Sequence, residues 1–360
     1  MTEDELIIVG PLSERSRANG RRTVTAWMIT RLEAAGVSLR GIDTAGPSFG
    51  SLRRVATSLR AVVIAMWYCV TRPRATVYLV ANDGIGRWRD LAILFVAGQS
   101  RARRIFVHHH TTRYFTCHDR AIAVMARLSR VEHLVQCASI GEYARTEYGI
   151  RATRVIGNAA WLPPLPCAPR GEGGRPTIGT LANLSVAKGA RRFLKLADEL
   201  ACLDARWQLA GPMRHQAESE WIVAAARDLT ARGKDVELVG QLDLEAREEF
   251  LDQLDVFVLL SESEAEPLAV LEAVRRGVAV VTTNVGCLDG LADAIPAGVH
   301  VVALSADSRQ AARAVRAALC QANAREQVVA QYAAFHATAA RQLEDFLDDV
   351  VSHRSHGWCS

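Results

Sequence analysis

The residues best placed to do chemistry lie in Ser261-Glu-Ser-Glu264-Ala-Glu-Pro-Leu-Ala-Val-Leu-Glu272, directly after the apolar run Val256–Leu260. Three glutamates crowd a strand end that opens a helix, and Glu272 follows Glu264 by eight residues. Carboxylates at such a junction can accept hydrogen bonds from sugar hydroxyls. Backbone N–H groups at a helix N-terminus attract anions. The plainer reading is that acids near a helix start only complement its dipole, at about 0.3–1 kcal/mol each.

A second stretch, Gly179-Thr-Leu-Ala-Asn-Leu-Ser-Val-Ala-Lys188-Gly189, also joins a strand to a helix. The chain has three lysines beside forty arginines. In so Arg-biased a sequence, Lys188 reads as kept for its compact ammonium, which can neutralise a diphosphate as a point charge. An ordinary exposed lysine is the alternative. The spacing is not the Gly-x-x-x-x-Gly-Lys-Ser/Thr loop of nucleotide triphosphatases, and no Gly-x-Gly-x-x-Gly follows the first strand, which disfavours a dinucleotide oxidoreductase.

Three adjacent histidines, His108-His-His110, end a third strand candidate. On a continuing strand His108 and His110 share a side. A metal would need a further ligand, and none is apparent. A neutral imidazole suits a hydroxyl group, and a structural hydrogen bond at a strand end is the other reading. His133, His215, His300, His336, His353 and His356 have no supporting context.

These residues need a frame. The 360-residue chain is too long for one ordinary core and suits two domains, and with 49% apolar residues it can bury both. Strands fit Leu6–Gly10, Ser38–Asp43, Thr76–Val80, Arg104–His108 and Leu134–Cys137. Helices fit Thr23–Ala35, Ser51–Val70, Arg87–Ala97 and Ala121–Leu128. Trp161–Pro176, with five prolines and three glycines, reads as a linker. The alternation then resumes, with strands at Thr177–Leu181, Arg206–Ala210, Val236–Val239, Val256–Leu260, Val278–Thr282 and Val299–Val302. Arg191–Leu200, His215–Ala231, Leu244–Leu254 and Leu268–Arg275 are the clearest helices between them. The expectation is α/β: two tandem Rossmann-like, doubly wound domains at 1–160 and 177–323, linker 161–176, and a helical tail 324–360 that covers one domain or crosses back to the first. Ligands in such sheets lie beyond the carboxyl ends of the strands, so a cleft between the two domains is the expected site.

Charge is uneven. Residues 1–150 carry net +9 and residues 151–360 net −5. No acid occurs between Asp43 and Asp83, whereas Arg53, Arg54, Arg60, Arg72 and Arg74 do, interleaved with Leu59, Val62, Val63, Ile64, Met66, Trp67 and Tyr68. Helix 51–70 is therefore either a core helix with solvated arginines or a segment that lies on an anionic membrane surface. No nucleic-acid motif accompanies the charge, so nucleic acid is not an expected partner. The eight cysteines form no Cys-x-x-Cys pair and read as reduced thiols. With an acidic N-terminus and no apolar run longer than Ala61–Val70, the expectation is a cytoplasmic protein, peripheral at the inner face of the membrane if helix 51–70 docks there.

From Asn158 to about Ala318 the chain resembles the donor-binding half of glycosyltransferase family 4, retaining enzymes of the GT-B fold. The landmarks are Val155-Ile-Gly-Asn158, Gly179…Lys188-Gly189, Leu209-Ala-Gly-Pro212, Val239-Gly-Gln241, Asp255–Ser261, Glu264…Pro267–Ala273 and Gly277–Val281. Val9-Gly-Pro-Leu12, Asn19-Gly20 and His108–His110 carry a weaker likeness in the first half. The resemblance implies a nucleotide-sugar donor, no cofactor and no metal. It implies that Lys188 holds the phosphates, Glu264 lies near the transferred sugar and Glu272 bonds the ribose. It further places the amides of Ala265, Glu266, Pro267 and Leu268 (Pro267 having none of its own) along the sugar and diphosphate, Gln241 by the base, Gly20 near the phosphates and His110 on the acceptor side. The acceptor would be a glycan or lipid-linked glycan. Two departures stand out: Ala265-Glu266 replaces the usual Gly-Phe, and the arginine partner of the lysine is missing near Thr180, with Arg191 and Arg192 as substitutes. A non-catalytic nucleotide-sugar-binding protein and another GT-B enzyme, such as a nucleotide-sugar epimerase, are the alternatives.

Overall fold

The computed structural model describes all residues except 1–4, 13–19, 45–50, 73, 85, 101, 103, 114–117, 129, 168–173, 322–323 and 356–360. Asn19, Cys117, Cys359 and His356 therefore lie outside the described residues, as do the side chains of Arg53, Arg54 and His353. The chain divides into two units, one of residues 1–161 with 339–360 and one of residues 162–338.

In the first unit, strands β1 (Leu6–Gly10), β2 (Leu39–Asp43), β3 (Thr76–Val80), β4 (Ile105–His108), β5 (Val131–Val135) and β6 (Thr153–Val155) form one parallel sheet in the order β2-β1-β3-β4-β5-β6. Helices α1 (Gly20–Ala34), α2 (Ser51–Thr71), α3 (Gly86–Gln99), α4 (Arg120–Met125) and α5 (Ala138–Tyr148) make the crossovers. Every residue of β1 and of β4 is buried, as expected of parallel strands covered on both faces. The fifth strand lies nearer the N-terminus than its apolar run suggests. Val131 and His133 pair with Ile105 and Val107, and Gln136 has left the ladder to bond the His109 carbonyl.

The second unit repeats the plan. Strands β7 (Thr177–Leu181), β8 (Arg206–Ala210), β9 (Asp235–Gly240), β10 (Val256–Leu259), β11 (Ala279–Thr283) and β12 (Val299–Val302) lie in the order β12-β11-β10-β7-β8-β9, all parallel. Its helices are α6 (Ala190–Glu199), α7 (Gln216–Ala231), α8 (Leu244–Asp252), α9 (Leu268–Val274), α10 (Leu288–Ala294) and α11 (Ser308–Cys320). The core includes fully buried Trp207 and Phe193, stacked edge to face at 5.6 Å. Leu165 N donates to Arg275 O at 3.1 Å, so the start of the proline-rich segment is bonded to this unit.

The last helix, α12 (Arg325–Ser355), belongs to both units. Its first part joins the second unit, where Tyr332 Oη donates to Leu162 O at 2.6 Å. Its last part enters the first unit's core with Leu343, Phe346, Leu347 and Val350. There Phe346 meets Phe106 edge to face at 5.1 Å, and Asp349 bridges Arg104 and Arg154, which also share Glu132. The tail thus crosses back to the first unit. Among the described cysteines, Cys69, Cys167, Cys202 and Cys320 are free, whereas Cys137 and Cys287 are each disulfide-bonded, which corrects the expectation of reduced thiols throughout.

Candidate active site

In the second unit, β8 and β9 wind outward from β7 on one side while β10, β11 and β12 wind outward on the other. The winding therefore reverses between β7 and β10, which are hydrogen-bonded neighbours. A crevice at the carboxyl ends of such a pair is where open α/β sheets bind ligands. The loop after β7 carries Lys188 and the loop after β10 carries Glu264. They meet: Lys188 Nζ lies 2.7 Å from Glu264 Oε1, and Ser261 Oγ donates to the same oxygen at 2.9 Å.

Backbone contacts fix both loops. Glu262 N donates to Ala187 O at 2.9 Å, and Lys188 N donates to Ser185 Oγ at 3.2 Å. Gly189, at φ +83°, lets the chain turn into α6 against the Leu260 carbonyl, which a Cβ would approach to 2.5 Å. Across β11, Thr283 Oγ1 donates to Ser261 O at 2.5 Å. Cys287 N donates to Ala265 O at 2.8 Å, and Gly286 (φ +63°) packs so closely that a Cβ would lie 2.2 Å from Glu264 O. The Glu264–Ala265 turn is therefore clamped from behind.

Glu272 stands on the buried side of α9, 5% exposed. Arg247 of α8 bonds its Oε1, while Oε2 has no hydrogen-bond partner. Burial raises the Glu272 carboxyl above the usual range, and Arg247, Arg275 and Arg276 oppose that rise. A buried carboxylate oxygen without a donor is costly, and a ligand hydroxyl would relieve it. Ala265 and Glu266 are buried and Pro267 caps α9, with Leu268 as its first residue. Gln241 is exposed, just past β9.

The two arginines considered as partners for Lys188 are occupied elsewhere. The Arg191 guanidinium stacks 4.5 Å over Trp221, and Arg192 Nη2 donates to Leu304 O. Another arginine sits beside the loop. The β7 and β8 loops run together, with Ala182 N donating to Ala210 O and Leu184 paired with Met213. Arg214 follows, and its Nε donates to Asn183 Oδ1 at 3.4 Å. Arg214 and Arg247 did not stand out in the sequence, because the hydrogen bonds that recruit them depend on the fold.

In the first unit the histidines divide into two pairs. His108 and His110 are on one side, ring centroids 4.0 Å apart, and His108 Nδ1 bonds Tyr78 Oη at 2.5 Å. His109 points the other way and meets His133, Nε2 to Nδ1 at 2.9 Å. His133, without context in the sequence, is thus the partner of the middle histidine. Burial holds all four below the ordinary histidine value, His108 to about 3 and His133 to about 4; for His110, neighbouring His108, Arg21 and His109 add to it. His110 Nε2 is buried and has no hydrogen-bond partner. Gly20 is the exposed first residue of α1. Among the described residues no group of three His, Cys, Asp or Glu could hold a metal ion.

The chain has the GT-B fold: two doubly wound α/β units in tandem, each built on a six-stranded parallel sheet. Residues 175–321 match the family model described as glycosyl transferases group 1. The fold of the whole chain is similar to the sucrose-phosphate synthase of Thermosynechococcus elongatus, with TM-score 0.75 at 16% identity over 97% of this chain and 100% of that one. It is similar to Anabaena HepE in complex with UDP and glucose (TM-score 0.64, 15% identity, 95% and 99% covered). It also resembles the apo lipopolysaccharide outer core galactosyltransferase WaaB (TM-score 0.66, 15% identity, 97% and 99% covered). No curated protein matches the sequence.

Proposed function

We propose that the chain transfers a sugar from a nucleoside-diphosphate sugar to a hydroxyl of a glycan or lipid-linked glycan, with retention at the anomeric carbon. The observation that carries this reading is the Lys188–Glu264 contact at the winding reversal of the second unit. HepE, a protein of the same fold, has been captured with UDP-glucose.

The demanding event is departure of the diphosphate, which develops negative charge on the leaving oxygen. The Lys188 ammonium has one proton toward Glu264 and two left for phosphate oxygens. Arg214 adds a second cation beside the same loop. With the amides around Ala265–Leu268 these groups carry the leaving-group charge, with no metal needed. Glu272 Oε2 receives a ribose hydroxyl, and Gln241 contacts the base. The sugar C1–O bond to phosphate breaks, the acceptor oxygen attacks the same face, and its proton passes to the departing phosphate. On the first unit, neutral His110 offers Nε2 to the acceptor hydroxyl.

Thermal-shift measurement with UDP, GDP and ADP identifies the base by the nucleotide that raises the melting temperature. Transfer is then assayed by mass spectrometry with the matching sugars and a panel of acceptors. Lys188→Ala is expected to lower the rate of transfer and Glu272→Ala to weaken donor binding, each without loss of the fold. A wild-type chain that binds a nucleotide sugar yet neither transfers nor hydrolyses it has the non-catalytic role instead. Product formation without acceptor, as a changed nucleotide sugar, identifies an epimerase.

A further inference from the structure

The helices of the first unit show an inversion. Helix α2 buries small residues, Ala61, Ala65 and Cys69, against the unit. Its large apolar residues, Val55, Leu59, Val63, Met66, Trp67 and Val70, face outward, each between 46% and 77% exposed. Their spacing is that of one helical stripe. Neighbouring α3 continues the patch with Trp88 and Phe95, both 56% exposed. Eight of the eleven large apolar side chains exposed among the described residues thus fall on these two helices. A contiguous patch of this kind marks an interaction surface rather than ordinary surface variation. The core-helix reading of this segment is therefore wrong for its large residues.

Charge indicates what covers it. Arg60 and Arg74 are exposed on or just past α2, and no acid occurs from Thr44 to Asn82. Acids of the unit are paired with arginines, Glu5 with Arg40 and Arg72, Asp119 with Arg87 and, on α3 itself, Asp90 with Arg89, while Asp43 at the end of β2 is exposed. Asp83, in the turn before α3, is exposed. An isologous contact with a second copy would set arginine-bearing, acid-poor faces against each other. An anionic bilayer supplies both an apolar layer for the stripe and phosphates for the arginines. The exposed tryptophans of the patch, Trp67 and Trp88, suit the headgroup level. No helix among the described residues is long and apolar enough to cross a membrane.

We infer that the outward face of α2, extended by Trp88 and Phe95 of α3, docks the protein on an anionic phospholipid surface. The surface is defined without reference to the transfer reaction and stands whether or not that reading holds. The test is flotation of the full chain with vesicles of phosphatidylcholine alone or with 30% phosphatidylglycerol, at low and high salt, with light scattering to report oligomeric state.

The wild type is expected to float with the anionic vesicles and to be released several-fold by high salt. Leu59→Glu with Val63→Glu is expected to lower the bound fraction about tenfold while the melting temperature holds, since both side chains are solvent-exposed. Arg60→Glu is expected to weaken anionic binding only. Equal flotation with neutral vesicles would overturn the anionic assignment. No flotation at low salt would overturn the inference altogether, as would a wild-type dimer that the glutamate pair converts to monomer without any vesicle binding.

Discussion

Glu264 Oε1 receives two donors, Lys188 Nζ at 2.7 Å and Ser261 Oγ at 2.9 Å. The carboxylate is thus held by one residue of its own loop and one from the neighbouring loop, and the ammonium is aimed before any ligand arrives. Preorganised charge of this kind is worth about 10²–10³ in rate when one donor is removed. Lys188→Ala is therefore expected to lower kcat for transfer by about that factor. Ser261→Ala, which frees the carboxylate without removing the cation, is expected to cost less, about tenfold. Steady-state kinetics on the two variants checks the order, and equal losses would contradict it.

Arg247 and Glu272 form the second coupled pair. Glu272→Gln keeps an acceptor oxygen and Glu272→Ala removes it. The alanine variant is expected to raise donor KM at least tenfold, the glutamine variant by less. Arg247→Ala leaves a buried carboxyl, already raised by burial, without its main opposing charge. Its protonation then moves closer to neutrality. Donor affinity in that variant is expected to fall as pH drops from 8 to 6, because a protonated carboxyl is the poorer acceptor. Calorimetric titration at the two pH values tests this, with the wild type showing the smaller change.

Gly286→Ala adds one methyl group behind the Glu264–Ala265 turn and alters no polar group. At φ +63°, with carbonyls 2.2 and 2.3 Å from the new Cβ, the turn must shift. The cost is of order 1–3 kcal/mol for the backbone conformation alone. A large loss of transfer is expected with donor binding impaired as well, measured by kinetics and thermal melting together. An active, fully stable variant would show that the clamp is dispensable.

The buried imidazoles predict acid sensitivity. In an unfolded chain a histidine titrates near 6.5, whereas the folded chain holds His108 to about 3 and His133 to about 4. Above the unfolded value both states are neutral and the contribution is complete. As pH falls below it, the unfolded chain takes up protons that the folded chain refuses, and stability drops until the folded values are reached. Each such group contributes up to about 1.4 kcal/mol per pH unit. Chemical denaturation between pH 7.5 and 5 is expected to show this decline. His133→Gln, which can still bond His109, is expected to make the slope shallower, and a parallel profile would count against it.

Much of this was readable beforehand. β3, β7, β8 and β12 begin and end where the sequence suggested. Helix α10, of seven residues, and strand β6, of three, are so short that their periodicity is weak. The charge pattern of α2 was visible, but its inversion was not. Sequence shows that small and large apolar residues occupy a helix and leaves open which stripe faces inward. Lys188 and Glu264 stood out by type and by position after strands. Arg247, Arg214 and His133 did not, because each acquires its partner through a strand or helix far away in the chain.

Helix α12 has a consequence for how the first unit comes into being. Leu343, Phe346, Leu347 and Val350 fill the same interior as Leu6, Ile8 and Met28. During synthesis, the earliest strands therefore wait for residues more than three hundred positions later before that interior can close. A ribosome stalled after the second unit would release a nascent chain with its opening sheet unsealed, and a protease that nicks the tail would undo the beginning of the molecule rather than its end.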